Sequence, residues 1–233
     1  VKRAEKLEEF AGGMKAMAPL TVAVMPIGLV FGAVAASKGL SSLEVLLMSA
    51  LVFAGGSQFV AMDIWKHPAS WGALAFSALL VNIRHVLMSA SIGTKMPAFS
   101  GPAKYAAMLL LADEIWAMAE LRAERTRLTP AWYAGLAIPF YCVWVLASLA
   151  GSIVGALLGD PNVVGLDFAF PAVFTVLVMG FWKGRETGAV LAASALAAVL
   201  AHQLLPGAWY IAAGAAAGVV ATLLTGRRRE VCA

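Results

Sequence analysis

Phe53-Ala54-Gly55-Gly56-Ser57-Gln58-Phe59 sits inside an apolar block running from Leu43 to Trp65. That block is long enough to cross a bilayer. Two adjacent glycines suit a plain helix poorly, because each costs roughly 1 kcal/mol against alanine. Ser57 and Gln58 then add polar groups with donors and acceptors of their own. Freed backbone groups at membrane depth are tolerated only where protein or a water-filled cavity satisfies them. The stretch therefore reads in two ways. It is a helix that breaks mid-membrane to present polar groups to a small solute, or a close-packing site where glycines let neighbouring helices approach.

The rest of the chain fits a membrane setting. It is 61% hydrophobic and only 13% charged, where a soluble domain of this length carries about 25% charged residues. The apolar residues come in long blocks without the strict alternation of a β-barrel strand. The fold class is all-α, a polytopic bundle of about eight transmembrane segments in a single domain over 1–233. The net charge of +4 is read as membrane orientation, with no affinity for nucleic acid. Cys142 lies in an apolar block and Cys232 in a basic tail, which argues against a disulfide and against a metal site. No P-loop, His-Glu-x-x-His or Cys-His cluster occurs, so neither metal nor cofactor is expected.

In order, residues 2–14 read as a short amphipathic cytoplasmic helix, and a first span over 16–37 follows with Pro26 inside it. Ser41-Ser42-x-Glu44 predicts a capped start to the second span, with an acid in the first turn. The third span covers about 69–92, and the fourth, about 104–121, is interrupted by Asp113 and Glu114. A fifth span over 132–158 carries Pro139 and a ladder of Gly151, Gly155 and Gly159. Three more spans run over about 166–182, 187–205 and 208–225, ending in a basic tail at 226–233. Eight crossings with both termini cytoplasmic leave Lys38, Lys95 and Lys104 outside, Arg84 within the membrane, and the remaining Lys and Arg inside, Lys66 among them. An internal repeat of two four-span halves is an open reading, resting on Pro26 against Pro139 and Glu44 against Asp167.

Ionisable residues inside a membrane are costly and default to functional candidates. Arg84 lies too deep to reach water comfortably, so it must meet a carboxylate, carbonyls or a wet cavity. Asp113 and Glu114 are its obvious partners. Neighbours on a helix point about 100° apart, so one acid faces Arg84 and the other is left free to titrate, as a proton carrier would be. The bland reading is an ion pair that pins two spans together. Asn82, His85 and Ser89 fall on one helical face, where they line a cavity or glue helices, and His85 could shuttle protons near neutral pH. His67 and His202 are read as interfacial.

Taken together, Pro26-Ile-Gly-Leu-Val-Phe-Gly32, Phe53–Phe59, Asn82-Ile-Arg-His85, Asp113-Glu114 and Gly165-Leu-Asp-Phe-Ala-Phe170 resemble the AzlC-type family, the large subunit of two-component branched-chain amino acid exporters. The resemblance implies export of valine-like amino acids across the bacterial inner membrane with a small AzlD-type membrane subunit. On that reading the substrate meets Gly55, Gly56, Ser57, Gln58 and Asn82, while Arg84, His85, Asp113 and Glu114 couple transport to protons. Two other readings stay open: a passive channel for small solutes, and an intramembrane serine hydrolase with Ser57 as nucleophile and a histidine base.

Overall fold

The computed structural model describes residues 2–66, 68–158, 175, 179, 182, 184–205 and 209–231. His67, Asp167, Cys232, the Gly165–Phe170 motif and most of the 166–182 span lie outside the described residues. Among them the secondary structure is helical: α1 (Lys2–Ser37), α2 (Ser42–Val52), α3 (Gly55–Asp63), α4 (Trp71–Gly93), α5 (Gly101–Leu109), α6 (Asp113–Arg125), α7 (Pro130–Leu158), α8 (Arg185–Leu204) and α9 (Trp209–Val231). Four of these, α1, α4, α7 and α8, are long and apolar enough to cross a membrane. The chain is a polytopic membrane helix bundle. It divides into two compact units, Val1–Met62 with Asn82–Ala169, and Asp63–Val81 with Phe170–Ala233.

In the first unit, α1 and α7 form the backbone of the packing. Glycines supply the contact. A Cβ at Gly13 would stand 2.1 Å from the Trp132 carbonyl oxygen, one at Gly32 1.9 Å from that of Ser148, one at Gly135 2.0 Å from that of Phe10, and one at Gly151 2.0 Å from that of Leu29. No side chain fits at these four points, so the two backbones touch directly. The partners advance together, Phe10 with Gly135, Leu29 with Gly151 and Ala33 with Gly155; α1 and α7 therefore run parallel.

The same seam corrects one expectation. The amphipathic segment and the first span are one continuous helix, Lys2–Ser37, and Gly12 and Gly13 within it lie against Trp132 of α7. The small-residue faces Gly28/Gly32 and Gly151/Gly155, which could pack within the chain or against another subunit, are closed against each other within the chain.

The start of α2 matches expectation. The Glu44 N–H donates to Ser41 Oγ at 3.3 Å while the Ser41 N–H donates to Glu44 Oε2 at 2.7 Å, a reciprocal capping box.

In the second unit, α8 and α9 pack as an antiparallel pair. Ser194 Oγ donates to the Gly214 carbonyl at 2.7 Å, and Val190 lies by Gly218. At the start of α9 the Trp209 ring meets Phe76, centroids 5.0 Å apart, and Tyr210 meets His202 at 5.4 Å.

Candidate functional site

Two of the apolar stretches break into half-helices, and chemistry-bearing residues collect at both breaks. The first break falls at Phe53-Ala54, two residues before the glycines. Phe53 adopts the left-handed conformation, φ 37° and ψ 49°, a strained choice for a bulky residue that costs of order 1–3 kcal/mol. Aromatic contacts hold it there: the Tyr141 ring at 4.9 Å and the Phe140 ring at 6.4 Å. Gly55 and Gly56 form the first turn of α3 instead. Gly55 is needed for space, since a Cβ there would lie 3.1 Å from the Trp144 ring. The stretch is thus both a break and a packing site, with the two roles on different residues.

Gln58 is fully buried. Its Nε2 donates to Ser49 Oγ at 3.3 Å, and its Oε1 accepts from Trp144 Nε1 at 3.0 Å. Ser49 lies on α2 and Gln58 on α3, so this amide bridges the break and ties both halves to α7. Ser57 is 3% exposed. The sequence-predicted residues here are therefore brought together, with Gln58 bonded to protein at both ends.

The second break, at Leu110–Ala112, divides the expected fourth span into α5 and α6. The physical reason is electrostatic. Asp113 and Glu114 are poor residues for the middle of an apolar helix but favourable in a first turn, where the helix dipole is positive. Starting α6 at Asp113, with Arg122 and Arg125 in its last turn, complements the dipole at both ends.

Asp113 is the acid that faces Arg84. Its Oδ2 lies 2.6 Å from Arg84 Nη1. The two side chains are 43% and 38% exposed, so protein does not close over the pair. Glu114, the next residue on the same turn, forms no ion pair among the described residues. Around Arg84, the buried atoms Asn82 Oδ1, Arg84 Nε and His85 Nδ1 have no hydrogen-bond partner among the described residues. Three atoms within four residues of α4 thus keep hydrogen-bonding capacity for something further.

Four elements of this arrangement were missed from sequence. Tyr141 Oη donates to the Ala50 carbonyl at 2.8 Å, and Tyr133 Oη donates to the Ala107 carbonyl at 2.9 Å. Ala50 and Ala107 hold the same position, three residues before the C-caps Phe53 and Leu110, where helix ends leave carbonyls without partners. Two tyrosines of one helix, eight residues apart and so on one face, cap both breaks. Their spacing is a signal that could have been read. The other misses are Ser91 Oγ and Lys95 Nζ, which both donate to Glu120, and Arg122, which pairs with Glu9 at 3.2 Å and lies over the Trp132 ring. Lys95 was expected on the opposite face from Arg122, yet it bonds α6 less than one turn from it.

A cavity of about 1180 Å³ opens beside the Arg122–Glu9 pair, lined by Glu5, Glu8, Thr129 and Trp132 among others. It takes in none of the residues at the two breaks.

Residues 19–158, from the first span through α7, match the family model described as AzlC protein. The chain belongs to the AzlC family. Relatives of this AzlC-family chain include an uncharacterized membrane protein of Archaeoglobus fulgidus, 31% identical over 84% of this chain and 85% of the relative. The inner membrane protein YgaZ of Escherichia coli is 29% identical over 79% of this chain and 78% of its own. The branched-chain amino acid transport protein AzlC of Bacillus subtilis is 24% identical over 79% and 72%. No solved structure matches. The family match spans both breaks and the Arg84–Asp113 pair.

Proposed function

We propose that this protein is a secondary transporter of the bacterial inner membrane. It exports branched-chain, valine-like amino acids, is driven by the proton gradient, and works with a small AzlD-type membrane subunit. The observation that carries the reading is the Arg84–Asp113 pair at the second break, with Glu114 adjacent and unused hydrogen-bonding capacity on Asn82, Arg84 and His85. The name of the Bacillus subtilis relative supports the substrate class.

A zwitterionic amino acid brings a carboxylate, an ammonium and an aliphatic side chain. The first turn of α3, at Gly55, Gly56 and Ser57, offers N–H groups and the positive end of a helix dipole to the carboxylate. Asn82 takes a second polar group. Gln58 serves this site by fixing its geometry, since its amide is already bonded at both ends. Arg84 pairs with Asp113, and we assign Glu114 and His85, beside this pair in the sequence, to proton coupling as the site changes the face it opens to.

The reading predicts that Gly56→Leu abolishes substrate binding. Asp113→Asn and Glu114→Gln keep binding but lose the response of export to pH, leaving downhill exchange. The measurement is valine efflux from loaded vesicles with and without an imposed pH gradient. If both amide variants retain uphill, pH-dependent export, the carboxylates are structural and coupling lies elsewhere. A passive channel would show no uphill export in any variant.

A further inference from the structure

We infer that α2–α3 and α5–α6 are re-entrant hairpins that enter the membrane from opposite faces, neither crossing it. The inference concerns the path of the chain and does not rest on what the chain carries.

The argument is one of parity. α4 and α6 run parallel, because Arg84 pairs with Asp113 and Ser91 with Glu120 at the same sequence offset. α4 ends at Gly93, yet α6 begins level with Arg84, nine residues back along α4. The chain between them has therefore doubled back, with α5 going in and α6 coming out. The end it returns to is that of the α1 N-terminus. Arg122 pairs with Glu9, Thr129 Oγ1 donates to Glu9 at 2.9 Å, and Lys95 and Lys104 hold Glu120 and the Gly93 carbonyl nearby. The C-terminus of α4 thus lies with the N-terminus of α1. α4, at 23 residues, is about 34 Å long and crosses a hydrocarbon core of about 30 Å. A helix that crosses starts on the face opposite its end, so α4 starts on the face where α1, itself a crossing of the opposite sense, finishes. The segment joining those two ends, α2–α3, starts and finishes on the same face.

Two further observations agree. Ser49 and Gln58 would be about 13 Å apart along an unbroken helix, too far for the 3.3 Å bond between their side chains. The arms are also too short to span. α2 and α3, with 11 and 9 residues, are about 16 and 13 Å long, and α5 and α6, with 9 and 13, about 13 and 19 Å. The folded path also sharpens the charge bias. Of the Lys and Arg up to Pro130, Lys2, Arg3, Lys6, Lys15, Lys95, Lys104, Arg122, Arg125 and Arg127 share the face of the α1 N-terminus. Lys38 and Lys66 face the other way, and Arg84 stays between. Moving Lys66 out and Lys95 and Lys104 in obeys the positive-inside rule better than straight crossings do. The tyrosine caps on the two hairpins are two turns apart on α7, about 12 Å, so the hairpins leave a thin septum between their capped ends.

The test is single-cysteine labelling of the full chain in membranes, with Cys142 and Cys232 replaced by serine. Lys38→Cys and Arg125→Cys mark the two faces, and Lys66→Cys and Thr94→Cys are the unknowns; all four positions are exposed. A membrane-impermeant maleimide should reach 66 from the face of 38, and 94 from the face of 125. Labelling of 66 from the face of 125, or of 94 from the face of 38, overturns the inference. So does a site that reacts only after the membrane is dissolved. Loss of transport moves none of these readouts, so the outcome is separate from the fate of the proposed function.

Discussion

Replacing Gly32 with alanine adds one methyl group where the α1–α7 seam is tightest. That methyl would stand 1.9 Å from the Ser148 carbonyl oxygen and 2.6 Å from the Ser152 nitrogen. It falls about 1.5 Å short of ordinary van der Waals separation. Both obstacles are backbone, so no rotamer change relieves them and the helices must part. Overpacking of this kind costs typically 1–3 kcal/mol, against which alanine returns roughly 1 kcal/mol of helix propensity. Because the clash is with backbone, the cost sits in the upper part of that range, about 2–3 kcal/mol, and the net expectation is a loss of about 1–2 kcal/mol. Gly12 is the control on the same helix, because a Cβ there would meet the Trp132 ring at 3.6 Å, an ordinary contact. Gly12→Ala should gain up to about 1 kcal/mol. The assay is thermal unfolding of the purified protein in detergent, followed by helical circular dichroism. At about 2–4 °C per kcal/mol for a chain of this size, the two variants should separate by roughly 2–12 °C, with opposite signs relative to the parent. Equal melting temperatures, or a stabilised Gly32→Ala, would refute a backbone-to-backbone seam.

Trp144→Phe should cost about 1–3 kcal/mol by leaving the buried Gln58 Oε1 without its donor, and adding Gln58→Leu should recover part of that loss; strictly additive effects in a double-mutant cycle would mean the bond is not made. Tyr133→Phe and Tyr141→Phe should each lower stability by about 1 kcal/mol, since each strips a freed helix-end carbonyl of its donor; no change in melting temperature for either would show that those carbonyls have another partner. Glu9→Gln should shift stability by less than about 1 kcal/mol, as expected for a partly exposed pair, and a larger loss that persists in high salt would contradict this.

The bundle class, the capping box at Ser41 and the pairing of Arg84 with one acid were legible in the sequence, because each rests on local composition or spacing. Helix count by hydropathy was less informative, since a hairpin of two half-helices and one straight crossing have the same length and apolarity. Gly55-Gly56 drew the break to itself, although the left-handed residue is Phe53. The preference of glycine for such turns was outweighed by aromatic packing from a helix some ninety residues away. Gln58 looked like a ligand for substrate because its partner Trp144 is equally remote. Interruption of the fourth span by Asp113 and Glu114 was visible, but its meaning, a new helix N-terminus, required seeing that acids suit a first turn better than a middle one.

The distance in sequence between Gln58 and Trp144, 86 residues, has a consequence during synthesis. At about 5–20 residues per second, α7 emerges roughly 4–17 seconds after the α2–α3 stretch. Throughout that interval the glycine face of α1 has no helix against it, the Ala50 carbonyl lacks its tyrosine, and Phe53 lacks the rings that hold its strained backbone. The first hairpin can reach its final form only after α7 has been delivered to the membrane. A ribosome stalled before Trp144 would therefore carry α1 and α2–α3 undocked, the form most open to capture by insertion factors and membrane proteases.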